Sequence, residues 1–326
     1  MTIRIVGAHD VRTILTIERA TELMRHALAL VGRGQTQQPL RQALFLPDRS
    51  GLLGVMPGYV AQPERLGVKV ISVFPGNFGA SLPSHQGAVI LFETKHGAPI
   101  AIIDAREITA IRTAAATAVA TEVLARRDAK TLALLGYGEQ AETHLAAVTP
   151  TRPFERVLVW GRDPKKASAF AGRFSRADLP VEAVGTAEEA TLRADVICTL
   201  TAATDPVLFG RWLKPGTHVN AVGSGTPNQA ELDVDAVARC RMFADYKDSV
   251  VALCGEFQRA KSAGAVTDAH IVGSIGDVLV GKVRGRASPD EITLFKSLGM
   301  AAEDLVAADF VLREAEARGL GQTIEW

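Results

Sequence analysis

Aromatic side chains are scarce in this sequence: twelve Phe, three Trp and three Tyr serve 326 residues. The core must therefore be built mostly from Ala, Val, Leu and Ile. Cysteine is scarcer still. Cys198, Cys240 and Cys254 are odd in number and form no C-x-x-C or Cys/His spacing, which argues against a disulfide framework and against a metal site. Cys198 lies inside the apolar run Val196-Ile197-Cys198 and is expected to be a buried, inert thiol. Net charge is missing as well, because 36 Lys+Arg balance 36 Asp+Glu. Without a field of one sign there is no bulk attraction for nucleic acid or an anionic membrane. Long apolar runs are also lacking. The longest uncharged stretch of apolar kind, 70–92, is broken by Pro75, Pro83 and three glycines and cannot span a bilayer. Arg4 stands where a signal peptide would need its apolar segment. These lacks lead us to expect a cytoplasmic protein with no nucleic-acid or membrane partner.

What is present is ordinary for a soluble chain: 47% apolar and 22% charged residues. The length suggests about two domains. Residues 17–33 carry apolar positions at helical spacing, so an amphipathic helix is expected to open the chain. From about 41 to 111, short alternating or β-branched runs are punctuated by glycine and proline, the texture of a mostly antiparallel sheet. At Arg112 an Ala-rich helix is expected over 112–127. Beyond it, runs such as TLALL (131–135), RVLVW (156–160) and DVICTLT (195–201) alternate with helical segments, which argues for a parallel, doubly wound sheet. A strand-like ITLFKSLG and a long helix from 300 close the sequence. The expected organisation is α/β. A discontinuous substrate-binding and dimerisation domain spans 1–112 with 300–326, and a Rossmann nucleotide-binding domain spans 113–299.

Gly136-Tyr137-Gly138-Glu139-Gln140-Ala141 is a G-x-G-x-x-A pattern between a predicted strand and a predicted helix. Gly136 permits the tight turn, Gly138 lets backbone approach a pyrophosphate, and Ala141 keeps the helix close to the sheet. An NAD site wants a carboxylate about 20 residues further on, at the end of the second strand. That position holds Gly161, followed by Arg162, Asp163, Pro164, Lys165 and Lys166. A guanidinium fork suits a 2′-phosphate, so Arg162 and Lys166 favour NADPH, with NADH the lesser alternative. Asp163 would be the ribose ligand if the register slipped by two.

Several segments together resemble the ornithine cyclodeaminase/mu-crystallin family: LGVKVISVFPGN (66–77), LPSHQGAVILFE (82–93), DAREITAIRTAAATAVAT (104–121), LLGYGEQA (134–141), HVNAVGSGTPNQAEL (218–232) and EITLFKSLG (291–299). The resemblance implies homodimers joined through the first domain's sheet. It also implies that Arg41, Lys69 and Arg112 hold a substrate carboxylate, which fits the chemistry of an imino or amino acid. Lys69 is flanked by Val68 and Val70 on a strand, so it points either into a cleft or to solvent. On the family match it is the catalytic candidate, a proton source for an imine. Ser84 and His85 lie in the matching LPSHQG loop. Val222, Lys296 and Ser297 fall in segments that line the nicotinamide in this family.

The expected activity is NADPH-dependent reduction of a cyclic ketimine carboxylate, Δ1-pyrroline-2-carboxylate or Δ1-piperideine-2-carboxylate, to proline or pipecolate. Alternatives within the same resemblance are an ornithine cyclodeaminase, an NAD(P)-dependent dehydrogenase of alanine or another amino acid, and a protein that only binds NADPH and a small acid. Gly225 separates the first two. Cyclodeaminases of the family carry an aspartate there as the base for ring closure, and Asn228, Gln229, Ser224 and Thr226 offer no substitute. Glu231 and Asp233, the nearest acids, match a helix start.

Overall fold

The computed structural model describes residues 2–77 and 82–325, which divide into two compact units, 1–112 with 299–326 and 113–298. The first unit is built on an eight-stranded sheet. Its strands are β1 (Thr2–Val6), β2 (Thr36–Gln37), β3 (Gln42–Phe45), β4 (Leu52–Ala61), β5 (Glu64–Val73), β6 (His85–Phe92), β7 (Pro99–Asp104) and a C-terminal strand, Gln322–Glu325. All pairings are antiparallel except β1 with β7. The amphipathic helix of the sequence reading is present as Ile17–Arg33, capped by the Thr16 side chain and ended by Gly34. It does not open the chain, because β1 and a short helix, Ala8–Ile14, precede it. Five residues of strand give too short a pattern to read alone.

The long last helix, Ala301–Arg318, packs on β4, β5 and the Ile17–Arg33 helix. Two strand glycines let it approach: a Cβ at Gly67 would lie 2.5 Å from Leu305, and one at Gly58 would lie 2.6 Å from Ala301. Twelve of its residues are buried, among them Glu303, Asp304 and Asp309. The helix expected from Arg112 runs from Ala105 to Leu124 instead. The Asp104 side chain accepts from the Glu107 amide at 2.8 Å and starts the helix there. Arg112 is therefore an interior helical residue.

The second unit holds eight parallel strands: β8 (Thr131–Leu135), β9 (Arg156–Trp160), β10 (Val181–Ala183), β11 (Val196–Thr199), β12 (His218–Ala221), β13 (Arg241–Ala244), β14 (Ile271–Ser274) and β15 (Thr293–Lys296). Their order is β10-β9-β8-β11-β12-β15-β13-β14. The chain winds outward from β8 to β9 and β10 in one direction and from β11 to β12, β13 and β14 in the other, with β15 returning between β12 and β13; this is the doubly wound plan, and the crevice lies where the order reverses. Every residue of β8, β11, β12 and β15 is buried, because helices cover both faces. Cys198 sits in this core, and burial pushes its thiol up to about 12.

Candidate active site

In β5 the burial alternates, with Gly67, Lys69 and Ile71 inward and Val68 and Val70 on the other face. The register thus turns Lys69 into the protein, 2% exposed. Its Nζ lies 2.7 Å from Asp304 Oδ2 and 3.4 Å from Thr109 Oγ1. Arg112 reaches the same place from its helix. Its Nε donates to Asp304 Oδ1 at 3.0 Å and a terminal nitrogen donates to Glu303 Oε2 at 2.6 Å. The guanidinium lies against the Gly299 backbone. Two cations and two carboxylates are buried together, an arrangement that is costly unless each charge is matched. Burial pulls the Lys69 pKa down to about 8, Asp304 opposes that pull, and Arg112 adds to it.

Asp304 and Glu303 were absent from the sequence reading. The available signal was two acids in the first turn of a helix assigned to the first domain's core, AAEDLVAADF. Arg41 stands just before β3 and is half-buried. Ser84 Oγ and His85 Nδ1 are 2.9 Å apart at the entry to β6.

In the second unit, Gly136 follows β8 with φ +134°, and a Cβ there would lie 2.8 Å from the Leu200 carbonyl oxygen. Only glycine suits both demands. Gly138 is the N-cap of the helix Glu139–Val148, and nothing lies within 4 Å of where its Cβ would be. Open space before a helix N-terminus is what a pyrophosphate needs, so these residues fit a dinucleotide. Ala141 is fully buried, and Gln140 Oε1 is buried with no hydrogen-bond partner. At the end of β9 the Tyr137 ring occupies the space over Gly161, where a Cβ would come within 2.1 Å of it, so a side chain at that position would have to displace the ring. Asp163 caps the helix Pro164–Phe174, accepting from the amides of Lys165 at 2.9 Å and Lys166 at 3.3 Å. Arg162, Lys165 and Lys166 are exposed.

Val222 follows β12 and donates its amide to the Thr199 carbonyl. Lys296, at the end of β15, is wholly buried, and its Nζ bonds Glu256 Oε1 at 2.9 Å and Ser224 Oγ at 2.7 Å. Burial works against its charge, but Glu256 and the neighbouring acids outweigh it and hold the pKa above the usual lysine value. Ser297 is buried and turns its hydroxyl toward Asp245 Oδ2, 3.4 Å away. Among the described residues no group of three or more His, Cys, Asp and Glu could hold a metal ion, and no helix is long and apolar enough to cross a membrane.

Comparison with known proteins agrees with this plan. The chain is 37% identical to the ketimine reductase mu-crystallin of Mus musculus, with 85% of each chain covered. It is 33% identical to a Δ1-pyrroline-2-carboxylate reductase of Bacillus cereus (strain ATCC 10987 / NRS 248) over 99% of each. Among solved structures it is similar to the Thermococcus litoralis Δ1-pyrroline-2-carboxylate reductase in complex with NADH and L-proline, with a TM-score of 0.95, 33% identity, and coverage of 99% of this chain and 100% of that one. The profile of the ornithine cyclodeaminase/mu-crystallin family matches residues 3–319, and the chain belongs to that family.

Proposed function

We propose that this protein reduces cyclic imines whose C=N carbon bears a carboxylate, such as Δ1-pyrroline-2-carboxylate or Δ1-piperideine-2-carboxylate, to L-proline or L-pipecolate. The carrying observation is the pair Lys69 and Arg112, two buried cations brought onto one carboxylate by a strand and a helix. A guanidinium and an ammonium together can grip a substrate carboxylate in one orientation, with Arg41 and Ser84 as further contacts. Lys69 then donates a proton to the imine nitrogen, making the carbon electrophilic and leaving a neutral amine after reduction. A nicotinamide coenzyme, when bound, supplies the hydride. Gly136, Gly138, Glu139, Gln140 and Ala141 hold its pyrophosphate, and Val222 and Ser297 face its nicotinamide end. Steady oxidation of NADPH with a small imine panel tests the reading. No turnover with any imine in the panel would reject it.

NADPH is the preferred coenzyme in this proposal. Position 161 is a glycine covered by the Tyr137 ring and offers no carboxylate, and Asp163 is engaged as a helix cap. Arg162 makes no ion pair among the described residues, and with Lys166 it supports a 2′-phosphate. A charge-assisted bond is worth about 1.5–3 kcal/mol, so Arg162→Ala should raise the KM for NADPH by roughly 10- to 100-fold. The KM for NADH should hardly move. Equal effects on both coenzymes would remove Arg162 from the phosphate site.

The proton donor has its own signature. Lys69 must be protonated to act, so kcat/KM should fall tenfold per pH unit above about pH 8. In Lys69→Arg, whose side chain stays charged, that limb should vanish. A profile unchanged by this substitution would assign the limb to another group.

The protein is also proposed to be a homodimer in a reducing compartment such as the cytoplasm, where three free, buried thiols persist. Leu44 and Leu53 face each other across β3 and β4 and are 73% and 40% exposed, with Phe45 and Leu46 exposed next to Leu44 in the chain. Such a patch favours a second copy as its cover. Light scattering should report twice the 34.7 kDa chain mass. A monomer at micromolar concentration would reject the dimer.

A further inference from the structure

We propose that Asp304 is a positioning residue for this reduction, a single carboxylate that grips Lys69 and Arg112 together and so sets the spacing and direction of both cations. The inference rests on the functional reading above. Each oxygen of Asp304 takes one partner, Oδ2 the Lys69 ammonium at 2.7 Å and Oδ1 the Arg112 Nε at 3.0 Å. Because a carboxylate is rigid and planar, its two oxygens fix how far apart the two cations stand. The carboxylate is itself well fixed. It lies wholly buried in the first turn of the Ala301–Arg318 helix, where the helix dipole favours an anion. That helix is held on the sheet by the close approaches at Gly58 and Gly67.

A merely structural acid has no need of this burial. Removing charge from water is expensive, and apolar side chains of similar volume often give equal or better stability at such places. The charged groups around the Lys69 ammonium are Asp304 and Glu303 from the last helix and Arg112 from the Ala105–Leu124 helix. Of these, Asp304 is the strongest influence keeping the lysine charged, whereas burial and Arg112 both favour its neutral form. Losing the Asp304 charge would therefore misdirect two substrate contacts and discharge the proton donor at once.

The test is the pH profile of Asp304→Asn. With Δ1-pyrroline-2-carboxylate, kcat/KM at pH 7 should fall by about tenfold or more, and the alkaline limb should move at least about one pH unit lower. NADPH affinity should be unchanged. Asp304→Glu, which keeps the charge, should retain a limb near the wild-type position. A folded Asp304→Asn enzyme with the wild-type KM and the wild-type limb would overturn the inference. Should that variant fail to fold, Lys69→Met and the charge-balanced Lys69→Met/Asp304→Asn pair are compared by calorimetric binding of pyrrole-2-carboxylate, a flat ring acid that cannot be reduced in the same way. Binding at least about tenfold weaker in the double variant supports the positioning of Arg112 by Asp304, and equal binding rejects it. If the wild type reduces no imine, the functional reading fails. The pH dependence of pyrrole-2-carboxylate binding, expected to weaken at lower pH in Asp304→Asn than in wild type, then judges Asp304 separately.

Discussion

Replacing Lys69 with Met should lower the turnover of Δ1-pyrroline-2-carboxylate by about 10²- to 10⁴-fold, the usual contribution of a positioned proton donor. The KM for the imine should rise as well, since the same ammonium is proposed to touch the substrate carboxylate. NADPH binding, followed by fluorescence, should stay near the wild-type value, because the coenzyme loop proposed at Gly136–Ala141 belongs to the other compact unit. Methionine has nearly the length of lysine and fits between Gly67 and Ile71 on the buried face of β5. The Asp304 carboxylate keeps its bond to Arg112 in the variant, so it is not left wholly unpaired. The fold should therefore survive with a lowered melting temperature. A Lys69→Met enzyme that is folded and turns over within a few-fold of wild type would remove this lysine from the chemistry.

The second large effect is a missing activity. Incubated with ornithine and a catalytic amount of NAD or NADP, the protein should form no proline and no ammonia. Ring closure from an open diamine needs a base within hydrogen-bond reach of the distal amine, and position 225 offers none. Packing does not demand glycine there: nothing lies within 4 Å of where a Cβ would be, so an aspartate would fit. Nor can a neighbouring acid take over. Glu231 is fully buried and accepts from Thr199, from the amide and hydroxyl of Thr201, and from the amides of Gly223 and Ser224. Asp233 caps the helix Val234–Arg239 and also holds the Gly210 amide. Glu256, unnoticed in the sequence, is tied to Lys296 and Ser224. Each of these carboxylates is spent on backbone or on a buried cation. Steady release of proline and ammonia beyond one equivalent per coenzyme would refute the assignment and restore the cyclodeaminase alternative.

Much of the second unit was legible because its signals are local. A run of five buried residues before a glycine turn, and a helix after it, is a pattern that one stretch of chain carries by itself, and Gly136 and Gly138 stand in the structure as that pattern requires. The same holds for the amphipathic helix at Ile17–Arg33 and the punctuated strands of the first unit. The edges were harder. The helix at Ala105 starts from one Asp104 side-chain bond, and β1 and the last strand exist only because each has a neighbour to pair with.

The sequence by itself determined the two textures, the glycine turn between strand and helix at 136–138, the family, and the lack of an acid at 225, since each depends on residue identity or on short-range periodicity. Only the tertiary structure decided which way Lys69 points, what Asp163 is occupied with, and that the Tyr137 ring lies over position 161. It also decided that Lys69 and Arg112 share one carboxylate some 190 residues beyond the arginine in the chain. The physical reason is the same in each case. A side chain's direction and charge are set by what is packed against it, and in this fold those partners come from strands and helices far apart in sequence.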